Sequence, residues 1–206
     1  MKVGIIQNEA QLEALEPFYV DKLLWGTKSV PKTYGYIGFV PGDGFCLKMV
    51  CEEKDPLRRY SKDMEPVYRD SAMEAFFLFE SRRGNLGSLP YINLEANANG
   101  ALLAAYGQER LYRSYFSRKE YRQFKCRAEI RENDWTFSIK LPIRVLERVY
   151  GPLDLGEGSS FTCNFYKISE TKEIEHYASY ARIESEVPSF HLPEFFERAV
   201  ITRGSA

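Results

Sequence analysis

In the segment YINLEANAN, residues 91–99, Ile92, Leu94, Ala96 and Ala98 fall on one face of an extended chain, and Tyr91, Asn93, Glu95, Asn97 and Asn99 on the other. Asparagine is depleted from strands because its side chain competes with the backbone for hydrogen bonds, so such a row with neither Lys nor Thr asks for a reason. Amide and carboxylate forks give and take hydrogen bonds in one plane, and two of them bridge neighbouring hydroxyls of a sugar. An ordinary solvated sheet face closing in a turn at 97–100 accounts for the same residues equally well.

A second carboxylate stands out in SAMEAFFLF. Met73, Ala75, Phe77 and Phe79 share one side of this strand, Ala72, Phe76 and Leu78 the other, and Glu74 is the anomaly on a strand that reads as central. Glu74 and Glu95 together could serve a glycoside hydrolase, which needs two carboxyls about 5 to 10 Å apart. Against that reading, the Glu95 face reads as solvated, with no neighbour visible to raise one pKa for acid work. A sugar isomerase would want an imidazole beside a carboxylate, and only His176 and His191 are on offer. His176 opens a strand and reads as structural or solvated. His191 follows Phe190, where it stabilises a turn or bonds a ligand.

Aromatic rings supply the other half of a sugar site, because the C–H face of a pyranose stacks on a flat ring. Tyr68 in EPVYRDS and Phe190 in VPSFHLP lie in turn-like, polar-flanked stretches and are the ligand candidates. Trp135, in the apolar register of DWTFSIKL, and Trp25, in DKLLWG, read as packing residues.

These residues need strands to position them, and the chain has the pattern. Apolar runs of strand length recur between Gly, Pro, Asn and Asp, the mark of an all-β protein. They include Tyr19–Trp25, Thr33–Val40, Ser71–Phe79, Pro90–Ala98, Tyr121–Ile130, Trp135–Leu141 and Phe161–Lys167. Short helices are expected at Glu9–Leu15 and Pro142–Val149, the latter opened by proline. With 206 residues, no repeat and no linker, one β-sandwich spanning 1–206 is expected, antiparallel and jelly-roll-like with one or two short helices. The 15% aromatic content is that of strands and excludes global disorder.

The 28 basic and 29 acidic residues nearly cancel, so no overall field recruits nucleic acid or an anionic membrane, and a neutral partner fits better. One local exception is RLYRSYFSRKEYRQFKCR, residues 110–127, where cations interleave with aromatics as in a single-strand nucleic-acid platform. A long solvated loop running into a strand, its cations matched by an equal stock of acids, is the favoured reading, since net charge is near zero and no recognition fold matches. No stretch approaches the roughly 18 to 20 apolar residues of a membrane span. No signal segment is visible, so a cytoplasmic home is expected. Cys46, Cys51, Cys126 and Cys163 lack metal-type spacing and are expected to be reduced.

The segments VYRDSAMEAFFLF, YINLEANANGALLAAYG, FTCNFYKI and PSFHLPEFF occur in an order that resembles the family 9 carbohydrate-binding modules, over roughly residues 15–203. The resemblance implies a β-sandwich that binds xylan- or cellulose-type oligosaccharides or chain ends without cutting them. It implies a sugar clamped between two aromatic side chains at the open end of the sandwich. Tyr68 and Phe190 match the clamp, where the xylanase-attached members use two tryptophans. Glu74 matches the acid of the D-S-x-x-E strand, Asn93, Glu95 and Asn97 the polar strand, and Asn164 the asparagine of the F-x-x-N segment. Those modules usually ride on a secreted xylan-degrading enzyme, and this chain looks like a free-standing relative. Structural calcium occurs in several members, and Asp55, Asp63 and Asp70 lie where oxygen ligands would be sought.

Overall fold

Lys2–Ile5, too short to stand out in the sequence, is the strand on which the architecture turns. The computed structural model describes residues 1–80 and 89–203. In it, β1 (Lys2–Ile5) lies between β4 (Thr33–Val40) and β14 (Glu197–Thr202), with Lys2 opposite Val200 and Gly4 opposite Gly38. The two glycines admit the chain that crosses this seam: a Cβ on Gly4 would stand 2.5 Å from the Leu15 side chain, and one on Gly38 2.5 Å from Ile6.

On one side of the seam follow β4, β5 (Gly44–Cys51), β11 (Trp135–Pro142) and β10 (Arg127–Ile130). On the other follow β14, β12 (Ser160–Ser169), β6 (Ala72–Phe79), β7 (Tyr91–Asn97), β8 (Leu102–Gly107) and β9 (Ser114–Tyr115). Two short strands decorate this path: β2 (Phe18–Tyr19) pairs with β4, and β3 (Lys22–Leu23) with β13 (His176–Ser179), itself laid on β12. The sheet curls until its halves face each other. Phe45 of β5 meets Phe161 of β12 at 5.0 Å and Phe79 of β6 at 5.5 Å, and Phe18 stacks on Phe165 at 3.9 Å.

The expected antiparallel sandwich is therefore corrected to a strongly curled mixed sheet. Among the described residues the ladders are antiparallel except the two that hold β1. Parallel neighbours need long connections, and nearly the whole chain separates β1 from β14.

Local chemistry explains the other departures. The strand expected over Tyr121–Ile130 is α1 (Arg118–Phe124) followed by β10, because Ser117 and Glu120 form a reciprocal capping box that starts a helix. The expected Glu9–Leu15 helix is a 3-10 turn over Glu9–Ala14 capped by Asn8. The second helix, α2 (Ile143–Tyr150), begins one residue after Pro142. The expected strand Tyr19–Trp25 breaks into β2, β3 and a turn at Trp25–Gly26.

The core face of β12 carries a lysine. Lys167 is fully buried, and its Nζ donates to Ser71 Oγ at 2.7 Å and to His176 Nε2 at 2.9 Å, with Glu53 Oε2 3.7 Å away. That carboxylate also accepts from the Ser71 hydroxyl and, at 3.2 Å, from the Trp135 indole. His176 Nδ1 donates to Ile174 O, which leaves Nε2 free to accept. Burial and then Lys167 lower the His176 pKa to about 4. Burial pulls Glu53 upward, but Lys167, Ser71 and Trp135 outweigh it and hold the carboxyl below its ordinary value.

Burial pushes the thiols of Cys51 and Cys126 up to about 12, and those of Cys46 and Cys163 upward as well. All four are free. Since the thiolate is the reactive form, iodoacetamide at neutral pH should label the folded protein slowly and four sites per chain in denaturant, as read by intact mass. Fewer than four in denaturant would reveal a bridge.

Candidate functional site

Antiparallel register places cross-strand partners on one side of the sheet. On the outer side of β12, β6, β7 and β8, Tyr166, Glu74, Glu95 and Leu103 form one row. Asn164, Phe76, Asn93 and Ala105 form the next, which β9 extends with Tyr115. A cavity of about 220 Å³ opens over these rows, with Glu74, Glu95 and Asn93 among its lining. Tyr68 reaches it from the 3-10 turn Val67–Arg69, Trp25 from the turn after β3, and Phe190 and His191 from the segment laid over the sheet. The cavity thus lies on a sheet face, not at an open end of a sandwich.

The floor is a polar relay. Arg113 donates through Nη2 to Asn93 Oδ1, and Asn93 Nδ2 donates to Glu95 Oε1 at 2.8 Å. Arg113 is itself held by Gly107 O at 2.8 Å and Tyr91 O at 3.2 Å, with its guanidinium 4.2 Å from the centre of the Tyr91 ring. At the two ends of the relay, Glu95 Oε2 and Arg113 Nε are buried and have no hydrogen-bond partner among the described residues. Arg113 Nε is a donor, Glu95 Oε2 accepts when ionised and donates when protonated, and both belong to residues lining the cavity. A buried polar atom left unpaired costs about 1 to 3 kcal/mol.

Glu74 and Glu95 face each other across β6 and β7, both buried. Burial first, then the opposing Glu95 and Glu170, raises Glu74 well above the ordinary carboxylate range. Burial raises Glu95 to about 7, against the pull of Asn93 and Arg113. Two buried carboxyls side by side cannot both ionise cheaply, so the pair retains a proton near neutrality. His191 stays neutral: burial, Arg113 and Arg110 lower it to about 3, and its Nδ1 lies 2.8 Å from the Tyr91 hydroxyl. At the mouth, Arg110 pairs with Glu170 at 3.7 Å.

The structure thus brings together Tyr68, Glu74, Asn93, Glu95, Phe190 and His191, and corrects the reading of the 91–99 face as solvated, since Tyr91 to Asn97 is buried throughout. Two expected residues lie outside the lining. Asn97 spends its amide on Tyr60 O and Asp70 Oδ2, and its carbonyl on the backbone N–H groups of Asn99 and Ala101. Asn164 donates to Ala181 O and Phe195 O and accepts from Phe165 N and Ala181 N, which pins the covering segment to the sheet. Both have filled hydrogen-bonding capacity and are structural. Phe190 is no open platform, because one face of its ring stacks on Tyr166 at 4.0 Å and 9°.

The three candidate calcium ligands do not fit a cation. Asp70 accepts from Arg59, Tyr60 N and Asn97, Asp63 from Leu102 N, and Asp55 pairs with Arg58. Among the described residues no three His, Cys, Asp or Glu side chains stand together as a metal site. In the 110–127 stretch, Phe116, Tyr121 and Phe124 are core residues and Arg113 belongs to the cavity floor, so the run is no continuous platform. Among the described residues no helix is long and apolar enough to cross a membrane.

Reading the sequence missed Arg113, Tyr115, Glu170, Tyr177 and Trp25 as lining residues. Only Trp25 had a local signal, the Trp-Gly pair of a turn.

The model of Carbohydrate-binding family 9 matches residues 7–201. A candidate carbohydrate-binding protein of Bacteroides uniformis superposes with a TM-score of 0.81 at 21% identity, covering 98% of each chain. A family 9 carbohydrate-binding module of Caldicellulosiruptor kristjanssonii in complex with glucose gives 0.65 at 8% identity, over 100% of this chain and 96% of that one. The same organism's module with cellotriose gives 0.64 at 7%, over 100% and 95%. At such identities the likeness is one of fold. Among curated proteins none matches.

Proposed function

The chain belongs to carbohydrate-binding family 9, and we propose that its cavity holds one ring of a neutral sugar, such as ends a cellulose- or xylan-type chain, without cutting it. The observation that carries this reading is the pair of unpartnered atoms on the floor. A sugar hydroxyl both gives and takes a hydrogen bond, so neighbouring hydroxyls serve Glu95 Oε2 and Arg113 Nε together. Charge supports a neutral ligand, since Arg110 is paired with Glu170 and the two buried glutamates retain a proton between them. Size supports a single ring: a cavity of about 150 Å³ accepts benzene, and this one offers about 220 Å³.

A hydrolase would place its carboxyls on either side of the glycosidic bond. Glu74 and Glu95 instead sit side by side in one row of the floor and meet the ring from the same side. The protein should therefore release no reducing ends from cello- or xylo-oligosaccharides. Calorimetric titration with D-glucose, xylose, cellotriose and xylotriose tests the binding. Tyr68→Ala removes one stacking surface and should weaken the bound sugar about tenfold with little change in melting temperature. Turnover abolished by Glu74→Gln would overturn the non-catalytic reading, and a wild type that binds none of these sugars would overturn the whole of it.

A further inference from the structure

We infer that Trp25, on the turn after β3, is the aromatic platform that faces the sugar, in place of the largely covered Phe190; this rests on the sugar reading above. Thr27 N donates to Leu24 O at 3.0 Å, which closes a four-residue turn with Trp25 and Gly26 at its centre. Both central residues have positive φ, 48° and 81°. Two successive positive values are the sign pattern of a type I′ turn, whose first central position favours Asn, Asp or Gly. A bulky side chain there is strained, and strain of this kind persists where surrounding structure holds it for a function.

The surroundings do hold it. Leu24 N donates to Tyr177 O, and Tyr177 N donates to Thr27 Oγ1, so the turn is tied at both ends to β13. The indole N–H is spent on Ser185 O at 2.8 Å, which fixes the plane of the ring. Tyr177 meets it edge-on at 5.4 Å and Phe190 backs it at 5.5 Å. The ring is nevertheless only half-buried and lines the cavity, whereas Phe190 is 5% exposed with one face against Tyr166. Trp25 thus combines a turn position that suits asparagine with a place in the cavity lining. Its site supplies rigidity, orientation and an uncovered aromatic surface, the requirements for stacking on a sugar ring.

The test uses Trp25→Asn, which suits the turn, and Trp25→Phe, which keeps a ring. Cellotriose and D-glucose affinity, measured by calorimetry, should fall about tenfold or more in Trp25→Asn and several-fold in Trp25→Phe, while the melting temperature of Trp25→Asn holds or rises. In the wild type, saturating cellotriose should shield tryptophan fluorescence from acrylamide, since the other tryptophan, Trp135, is fully buried. Should Trp25→Asn fail to fold, Trp25→Phe and the quenching decide. Wild-type binding with unchanged affinity in the folded variants, or no shielding, overturns the role of Trp25 and leaves the sugar reading standing. A wild type that binds neither sugar overturns both.

Discussion

Against the wild type, the Glu95→Gln variant should gain about 2 to 3 kcal/mol of stability as pH is raised from about 5 to 8, because a carboxyl whose pKa is raised by folding loses its stabilising proton over that range. The sign follows from proton counting. Burial raises Glu95 in the folded chain from 4.5 to about 7, so between those values the folded chain holds a proton that the unfolded chain has released. Its stabilising contribution is complete below about 4.5 and is lost as pH rises through about 7. Glutamine keeps the oxygen that accepts from Asn93 and carries no proton to lose. It also relieves Glu74, whose upward shift owes its largest charge contribution to Glu95. His176 and His191, lowered to about 4 and about 3, act in the opposite sense below 6.5, but they stand in both proteins and cancel in the difference. Urea unfolding of the pair across this range reads it, and a difference that stays flat with pH would show that Glu95 is solvated and ionised after all.

Lys167→Met should cost about 3 to 5 kcal/mol, the usual price of breaking a buried charge pair from one side. The methionine fills much of the same space, so the loss is electrostatic. Glu53 keeps its contacts with Ser71 and Trp135 but loses the cation, and His176 Nε2 loses its donor. The double variant Lys167→Met, Glu53→Gln should recover part of the loss, since no uncompensated charge is then buried. A drop below about 1 kcal/mol in the single variant, by urea midpoint, would mean that water already serves the carboxylate.

The strands that build the cavity floor were legible because their chemistry is local. Glu74 broke an apolar strand, and the alternation of 91–99 put Asn93 and Glu95 on one face, which is where register places them. The burial of that face was not legible, because what covers it is the distant segment from Ala181 to Phe196, pinned through Asn164. Asn97 and Asn164 show the limit from the other side: the residue type suited sugar recognition, but their amides bond distant groups, Tyr60 O and Asp70 for Asn97 and Ala181 O and Phe195 O for Asn164. Arg113 was hidden in a run of cations because only tertiary structure singles out the one whose guanidinium lies over Tyr91. The mixed sheet escaped notice for a similar reason, since four residues of β1 carry no sign of the direction of their neighbours.

The place of β1 between β4 and β14 also bears on how the molecule comes into being. Contacts between segments far apart in sequence carry a large loop-closure entropy and raise contact order, which slows folding. A nascent chain leaving the ribosome can form the β4–β5 hairpin early, but the seam must wait until residues 197–202 have been made. Until then β1 has one open edge and the hydrophobic interior one unsealed side, the condition in which strands pair with the wrong partner. The seam thus closes only after residues 197–202 have been made, and it is through β14 that the half of the sheet bearing the cavity joins the main strand path.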